Sequence, residues 1–141
     1  MVLRTDYTNA TVALDVHALA HNDVNAAVNA LQAAPAAPVR RAINNQTGTT
    51  YTPVLADENK MVTLSNAAAI TVTLPSNATT AFPIGAEIEF LWLGVGKPTF
   101  TNGSGATLNA AVGKAISARY GKVSAKKIAT NDWVLYGNTG T

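Results

Sequence analysis

Apolar and polar positions follow two different patterns along the chain. In the first, Leu14, His17, His21, Val24, Val28 and Leu31 recur at alternating intervals of three and four. That spacing is a heptad seam. Asp15 suits the N-cap of a helix, and Val16 to Gln32 contains no Gly, Pro or Thr. The pattern predicts a helix over 16–32, about 25 Å long at ~1.5 Å per residue. Asn22, Asn25, Asn29 and Gln32 run beside the seam as a polar stripe. Pro35 disfavours helical geometry at Ala34 and ends the helix. A seam this narrow buries little area, and a single helix of this length is marginal in water. The helix therefore needs a partner, either the rest of its own chain or copies of itself, and the six seam residues are the expected contact, as a short coiled coil in the second case.

From Thr47 onward the period falls to two. Ile70, Val72 and Leu74 alternate with Thr71 and Thr73, and Ile88, Phe90 and Trp92 alternate with Glu87, Glu89 and Leu91. Trp133 and Leu135 alternate with Val134 and Tyr136. Strands are expected at 50–55, 60–64, 70–74, 87–93, 98–101, 115–119, 122–128 and 132–136. Turn signals such as Asp57-Glu58-Asn59, Pro75-Ser76-Asn77 and Asn102-Gly103-Ser104-Gly105 separate them. Short strands at this cadence predict an antiparallel β-sandwich of about eight strands. Leu91 and Leu93 lie on a partly charged face and are expected to be covered by a neighbouring subunit. Between the two patterns, Ala33 to Gln46 holds Pro35, Pro38, Arg40 and Arg41 and is expected to be an extended linker. The chain thus divides into 1–46, helix and linker, and 47–141, β-domain. No tandem repeat of fixed period is visible.

Composition sharpens this picture. Charged residues are 13 % of the 141, about half the usual ~25 %. Ala, Thr and Asn fill the gap, with 26, 18 and 13 copies. A Thr- and Asn-rich surface suits strands and turns better than solvated helices. The absence of cysteine excludes disulfides, thiolate metal sites and cysteine nucleophiles. Net charge is only +2, too weak to imply nucleic acid or an anionic membrane. Met1 to Asp23 lacks the pattern of a secretory signal, and no run approaches the ~20 apolar residues of a membrane span.

Candidate chemistry is sparse. Gly94-Val95-Gly96-Lys97-Pro98-Thr99 has the flavour of a phosphate loop. Leu91 stands where that motif needs its first glycine, and Pro98 where it needs Ser or Thr. A turn between strands is the expected reading. His17 and His21 have metal-ligand spacing, but no acidic residue completes a site on that face. Stacked histidine rings in a trimer would repel when protonated, so assembly is expected to weaken below about pH 6. Glu87 and Glu89, roughly 6.5 to 7 Å apart by strand rise, match the separation of glycosidase carboxylates. A solvated strand face is the expected reading. Lys114, Arg119, Lys122, Lys126 and Lys127 form the one basic concentration. They read as a charged strand face, or as a patch for an anionic partner such as a glycan. Four N-x-Ser/Thr sequons begin at Asn9, Asn45, Asn77 and Asn102, as this composition would produce. No nucleophile–base pair, cofactor motif or metal set is visible, and neither an enzyme nor a cofactor is expected.

The stretch from Tyr51 through Phe100, "YTPVLADENKMVTLSNAAAITVTLPSNATTAFPIGAEIEFLWLGVGKPTF", and the later "NDWVLYGN" resemble a β-domain recurrent in small tailed-phage structural proteins. The opening "MVLRTDYTNATVALDVHALAHNDVNAAVNALQ" resembles the start of phage minor tail proteins, where a His-Asn pair opens a short Ala- and Asn-rich helix. Pro53 and the apolar Leu91-Trp92-Leu93 depart from the pattern. The resemblance implies a homotrimer and no catalytic residues. It implies a virion component: a short tail fibre or minor tail protein docked through its N-terminus to other virion proteins, or a capsid decoration or head-fibre protein. A host-surface carbohydrate-binding module is the reading from another class. That module would need exposed aromatics, in a chain where aromatics are 6 %. Trp92 and Tyr120, with Lys122, Lys126 and Lys127, are the candidate ligand or anionic-partner surface, and Tyr136 is a further aromatic candidate.

Overall fold

The computed structural model describes residues 40–141, together with residues 24–26 and 29. Those four are helical and exposed, within the span expected to be helix. Leu14, His17, His21, Val28 and Leu31 lie outside the described residues, and Val24 is the one seam residue within them. The chain divides between Val39 and Arg40, and the second unit contains all of the β-structure described below.

Eleven short strands build that unit. They are β1 Ile43–Gln46, β2 Thr50–Tyr51, β3 Met61–Leu64, β4 Ile70–Leu74, β5 Glu87–Trp92, β6 Pro98–Asn102, β7 Thr107–Ala110, β8 Ala115–Ile116, β9 Lys122–Ala129, β10 Asp132–Gly137 and β11 Thr139–Gly140. They form two sheets. One has six strands in the order β1-β3-β5-β9-β10-β7; the other has five, in the order β11-β8-β6-β4-β2.

The first six strands alternate between the sheets, and like strands pair in parallel: β1 with β3, β3 with β5, β2 with β4 and β4 with β6. This is a β-solenoid, in which each coil contributes one strand to each sheet. The expected antiparallel sandwich is corrected here. Parallel neighbours normally need a long crossover. In this chain the crossover is itself a strand of the opposite sheet, so short spacing and parallel pairing coexist. Antiparallel pairing enters only with β8, β9 and β11, which close the stack against β6, β5 and β8, and in the β9–β10 hairpin.

The expected linker is also corrected at its C-terminal end, because Ile43–Gln46 is the first strand. β7 falls where no strand was expected, and β11 where a polar tail was expected. The expected strand at 50–55 stops at Tyr51. Pro53 offers no ladder donor, and a 3-10 turn follows at Leu55–Asp57.

The core lies between the sheets, and strand alternation fills it as expected. Val62, Leu64, Ile88 and Phe90 point inward from one sheet, and Ile70, Val72 and Leu74 from the other; all seven are fully buried. Register stacks Val62 beside Phe90 and Leu64 beside Trp92. Phe90 meets Phe100 edge to face at 5.1 Å, and Phe82 meets Trp133 at 5.4 Å. Each such pair adds about 1 kcal/mol beyond its burial. The first coil differs. Its inward positions are Asn44 and Gln46, so the apolar stack ends in a polar layer.

Candidate functional site

Three surfaces of the β-unit carry chemistry. The first is that polar layer. Asp57 is buried, and each of its oxygens is engaged. Asn44 Nδ2 donates to Oδ1 at 2.7 Å, Val54 N donates to Oδ2 at 2.9 Å, and the Tyr51 hydroxyl donates to Oδ2. Gln46 Nε2 donates to Asn44 Oδ1 at 2.8 Å, and Asn44 Nδ2 also reaches the Tyr51 oxygen at 2.9 Å. Burial, reinforced by the hydrogen bond to Asp57, pushes the Tyr51 phenol well above its ordinary value. The arrangement closes the end of the solenoid with satisfied polar groups, as a repeat structure requires of its terminal coil.

The second surface is the outer face of the six-stranded sheet. Register lines up Ile43, Met61, Glu89, Ser124 and Tyr136 in one cross-strand row, and Asn45, Thr63, Leu91 and Lys122 in the next. Glu89 sits between two cations, with Lys122 Nζ at 2.6 Å and Arg41 Nη1 at 3.0 Å. The Lys122 hydrogen bond is the main reason its carboxyl stays below the ordinary glutamate value. The nearby Glu87 carboxylate, with burial, raises the Tyr136 phenol above its ordinary value. Lys126 stands opposite Glu87. The expectation of a solvated carboxylate pair is corrected: the Glu89 side chain is only 12 % exposed and doubly ion-paired. A carboxylate so held is poorly placed to accept or deliver a proton near neutral pH.

The third surface is the pair of edges where the chain turns from one sheet to the other. At one edge the Gly94-Val95-Gly96 turn lies directly against the Ser65–Ala69 turn. A Cβ on Gly96 would come within 1.7 Å of the Ala68 carbonyl oxygen, and one on Gly94 within 2.3 Å of Asn66 N. The glycines therefore permit backbone stacking. Tyr120 also sits at this edge, 66 % exposed, with the Arg119 guanidinium 5.0 Å from its ring centroid.

The expected ligand surface is thus divided. Tyr120 and Lys122 are exposed, and Lys126 is half-buried. Trp92 and Lys127 are not on the surface, and both placements are corrected. Trp92 alternates inward with Phe90 and is 8 % exposed, its Nε1 buried without a hydrogen-bond partner. Lys127 follows Lys126 in β9, so the two side chains point to opposite faces. Its Nζ donates to Asn77 Oδ1 at 2.8 Å and to Phe82 O at 2.7 Å, inside a site 1 % exposed. Desolvation lowers its pKa. Leu91 and Leu93 are half-buried. Val24 is 60 % exposed.

Asn44, Gln46, Tyr51 and Asp57 were not expected as a cluster. Their polar character at alternate positions preceding an apolar stack was the available signal. No cluster of metal-ligating side chains occurs among the described residues, and no described helix is long and apolar enough to cross a membrane. Comparison with protein families, curated proteins and solved structures found no match to the chain.

Proposed function

We propose that this chain is a structural protein of a tailed-phage particle. In this reading it is a homotrimeric short tail fibre or minor tail protein, docked by its N-terminal segment to other virion proteins and projecting its β-unit. A capsid decoration or head-fibre protein would have the same build. The resemblance of "ITVTLP", "FPIGAEIEF" and "NDWVLYGN" to phage β-domains is where the reading begins. The observation that carries it is the distribution of exposed apolar side chains. Val54, Leu55, Ile84, Val95, Val112 and Tyr120, in the segments between strands, and Ile43 and Ile128, within strands, are all more than half exposed. Surfaces of this kind are normally covered in an assembly. On the outer face Glu89 is paired with Arg41 and Lys122 of the same chain, which suits a scaffold.

Tyr120 favours a second reading, binding of a host-surface glycan, because Arg119 stacks on an exposed ring that could face a sugar. With Trp92 inside the core, that platform would consist of a single aromatic.

Labelling a tag on the C-terminus in intact particles tests the main reading. Gold on the tail is the expected outcome. Gold on the head would favour the decoration protein, and unlabelled particles would overturn the virion reading.

A further inference from the structure

We infer that the connector between β4 and β5, residues 75–86, is a latch over a buried amine, closed on neutral Lys127 and opened by its protonation. The latch is independent of the virion reading above. The connector is the longest segment between strands of the β-unit. Lys127 points between the sheets with Val123 and Ala125 and is 1 % exposed. Its Nζ donates to Asn77 Oδ1 at 2.8 Å and to Phe82 O at 2.7 Å, and both acceptors belong to the connector. Two acceptors match the two N–H groups of a neutral amine, whereas an ammonium carries three. No carboxylate compensates Lys127 among the described residues, whose ion pairs both involve Glu89. β4, β6, β7 and the connector contain no titratable residue. On β10, Trp133 lies beside Lys127, and Asp132 lies beside Ala129. On β5, Glu87 lies opposite Lys126, whose side chain points to the other face.

A charge in such a place is costly unless paired, and the group gives up its proton instead. Desolvation accordingly lowers the lysine's pKa. Protonation becomes cheap once water reaches Nζ, and the connector is the part of the wall that can admit it. Its ends are pinned: Trp133 Nε1 donates to Pro75 O at 2.9 Å, and Gly85 N to Lys127 O at 2.8 Å. Its middle is held by the two Lys127 bonds, by Asn77 N donating to Asn131 Oδ1 at 2.8 Å, and by Phe82 against Trp133. The backbone bonds from Thr79 N and Thr80 N to Ser76 O, and from Phe82 N to Thr80 O, are local and can travel with it. Lifting residues 77–82 therefore hydrates Nζ without breaking a strand pair. The open form holds the amine near its ordinary 10.5, and the closed form holds it lower. As pH falls from 10.5 toward the closed-form value, the open form takes up the proton first. The balance then moves toward the open form by up to about tenfold per pH unit, and levels off once both forms are charged.

The chain has no cysteine, so one introduced thiol reads the opening. Ser76 lies in the connector at 4 % exposure. The full chain carrying Ser76→Cys is labelled with iodoacetamide between pH 10 and pH 7, and its rate is divided by that of free cysteine at each pH. The ratio is expected to rise about tenfold as pH falls. Adding Lys127→Met removes the titrating group and should leave the ratio flat. Asn77→Asp gives the ammonium a counter-charge and should flatten it too; this variant carries the test if Lys127→Met loses its β-sheet circular dichroism. A ratio independent of pH with Lys127 and Asn77 both in place, or the same rise in a folded variant, would overturn the latch. Val123, fully buried in β9, supplies a second position: Val123→Cys reports opening of the whole unit and should label much more slowly. Equal rates at the two positions would assign the effect to global unfolding and overturn the latch as well.

Discussion

Asp57 accepts from Asn44, Tyr51 and Val54, so a single carboxylate organises the first coil. A hydrogen bond to a charged group contributes about 1.5–3 kcal/mol. Tyr51→Phe should therefore lower stability at neutral pH by about 2 kcal/mol, measured by urea unfolding. The same variant tests the linkage. The Tyr51 phenol is raised above its ordinary value of 10.0 in the fold. Its contribution is fully present below that value and is lost as pH rises toward the folded one, because the unfolded chain gives up the proton first. Tyr51→Phe should flatten the decline of stability above pH 10. Lys127 acts with the opposite sign: its pKa is lowered in the fold, so stability gains as pH rises through the folded value toward 10.5. In sequence, Asp57 was legible only as a turn signal and Tyr51 only as a strand residue. Nothing local to either residue encodes their meeting.

At the scale of elements, strand faces were legible and strand partners were not. The alternations in β4, β5 and β10 place the same residues inward in sequence and structure, because side-chain direction follows from backbone pleat alone. The same rule separates Lys126 from Lys127 and turns Trp92 inward, which grouping by charge or aromaticity had overlooked. The Gly94-Val95-Gly96 turn was legible as a turn, but its need for glycine comes from the adjacent Ser65–Ala69 turn. Gly96→Ala should destabilise the fold by about 3 kcal/mol, since its methyl would meet backbone at Ala68 rather than a side chain that can move. A thermal melt measures this, and Val95→Ala, at the exposed tip of the same turn, should leave the midpoint nearly unchanged.

For the molecule as a whole, the boundary of the β-unit matters most. A chain of residues 40–141 keeps β1 and the polar layer, whereas residues 47–141 lose Asn44 and Gln46 and uncover Val62 and Leu64. The longer form should melt cooperatively, and the shorter one about 10 °C lower, as a loss near 2 kcal/mol implies for a domain of this size. Circular dichroism distinguishes the two. The sequence by itself determined that the second region is β-structure, which positions of its main strands face inward, and where most turns fall. These are consequences of local alternation and turn chemistry, readable within a few residues. Only the tertiary structure decided that the strands coil in parallel and that 43–46 belongs to the sheet. Asn44 stands beside Val62, and Val62 beside Phe90, so successive coils advance by 18 and then 28 residues. Coils of unequal length leave no period in the sequence. Their register is set by which apolar side chains can stack in one shared core, and that is a property of the closed structure rather than of any segment within it.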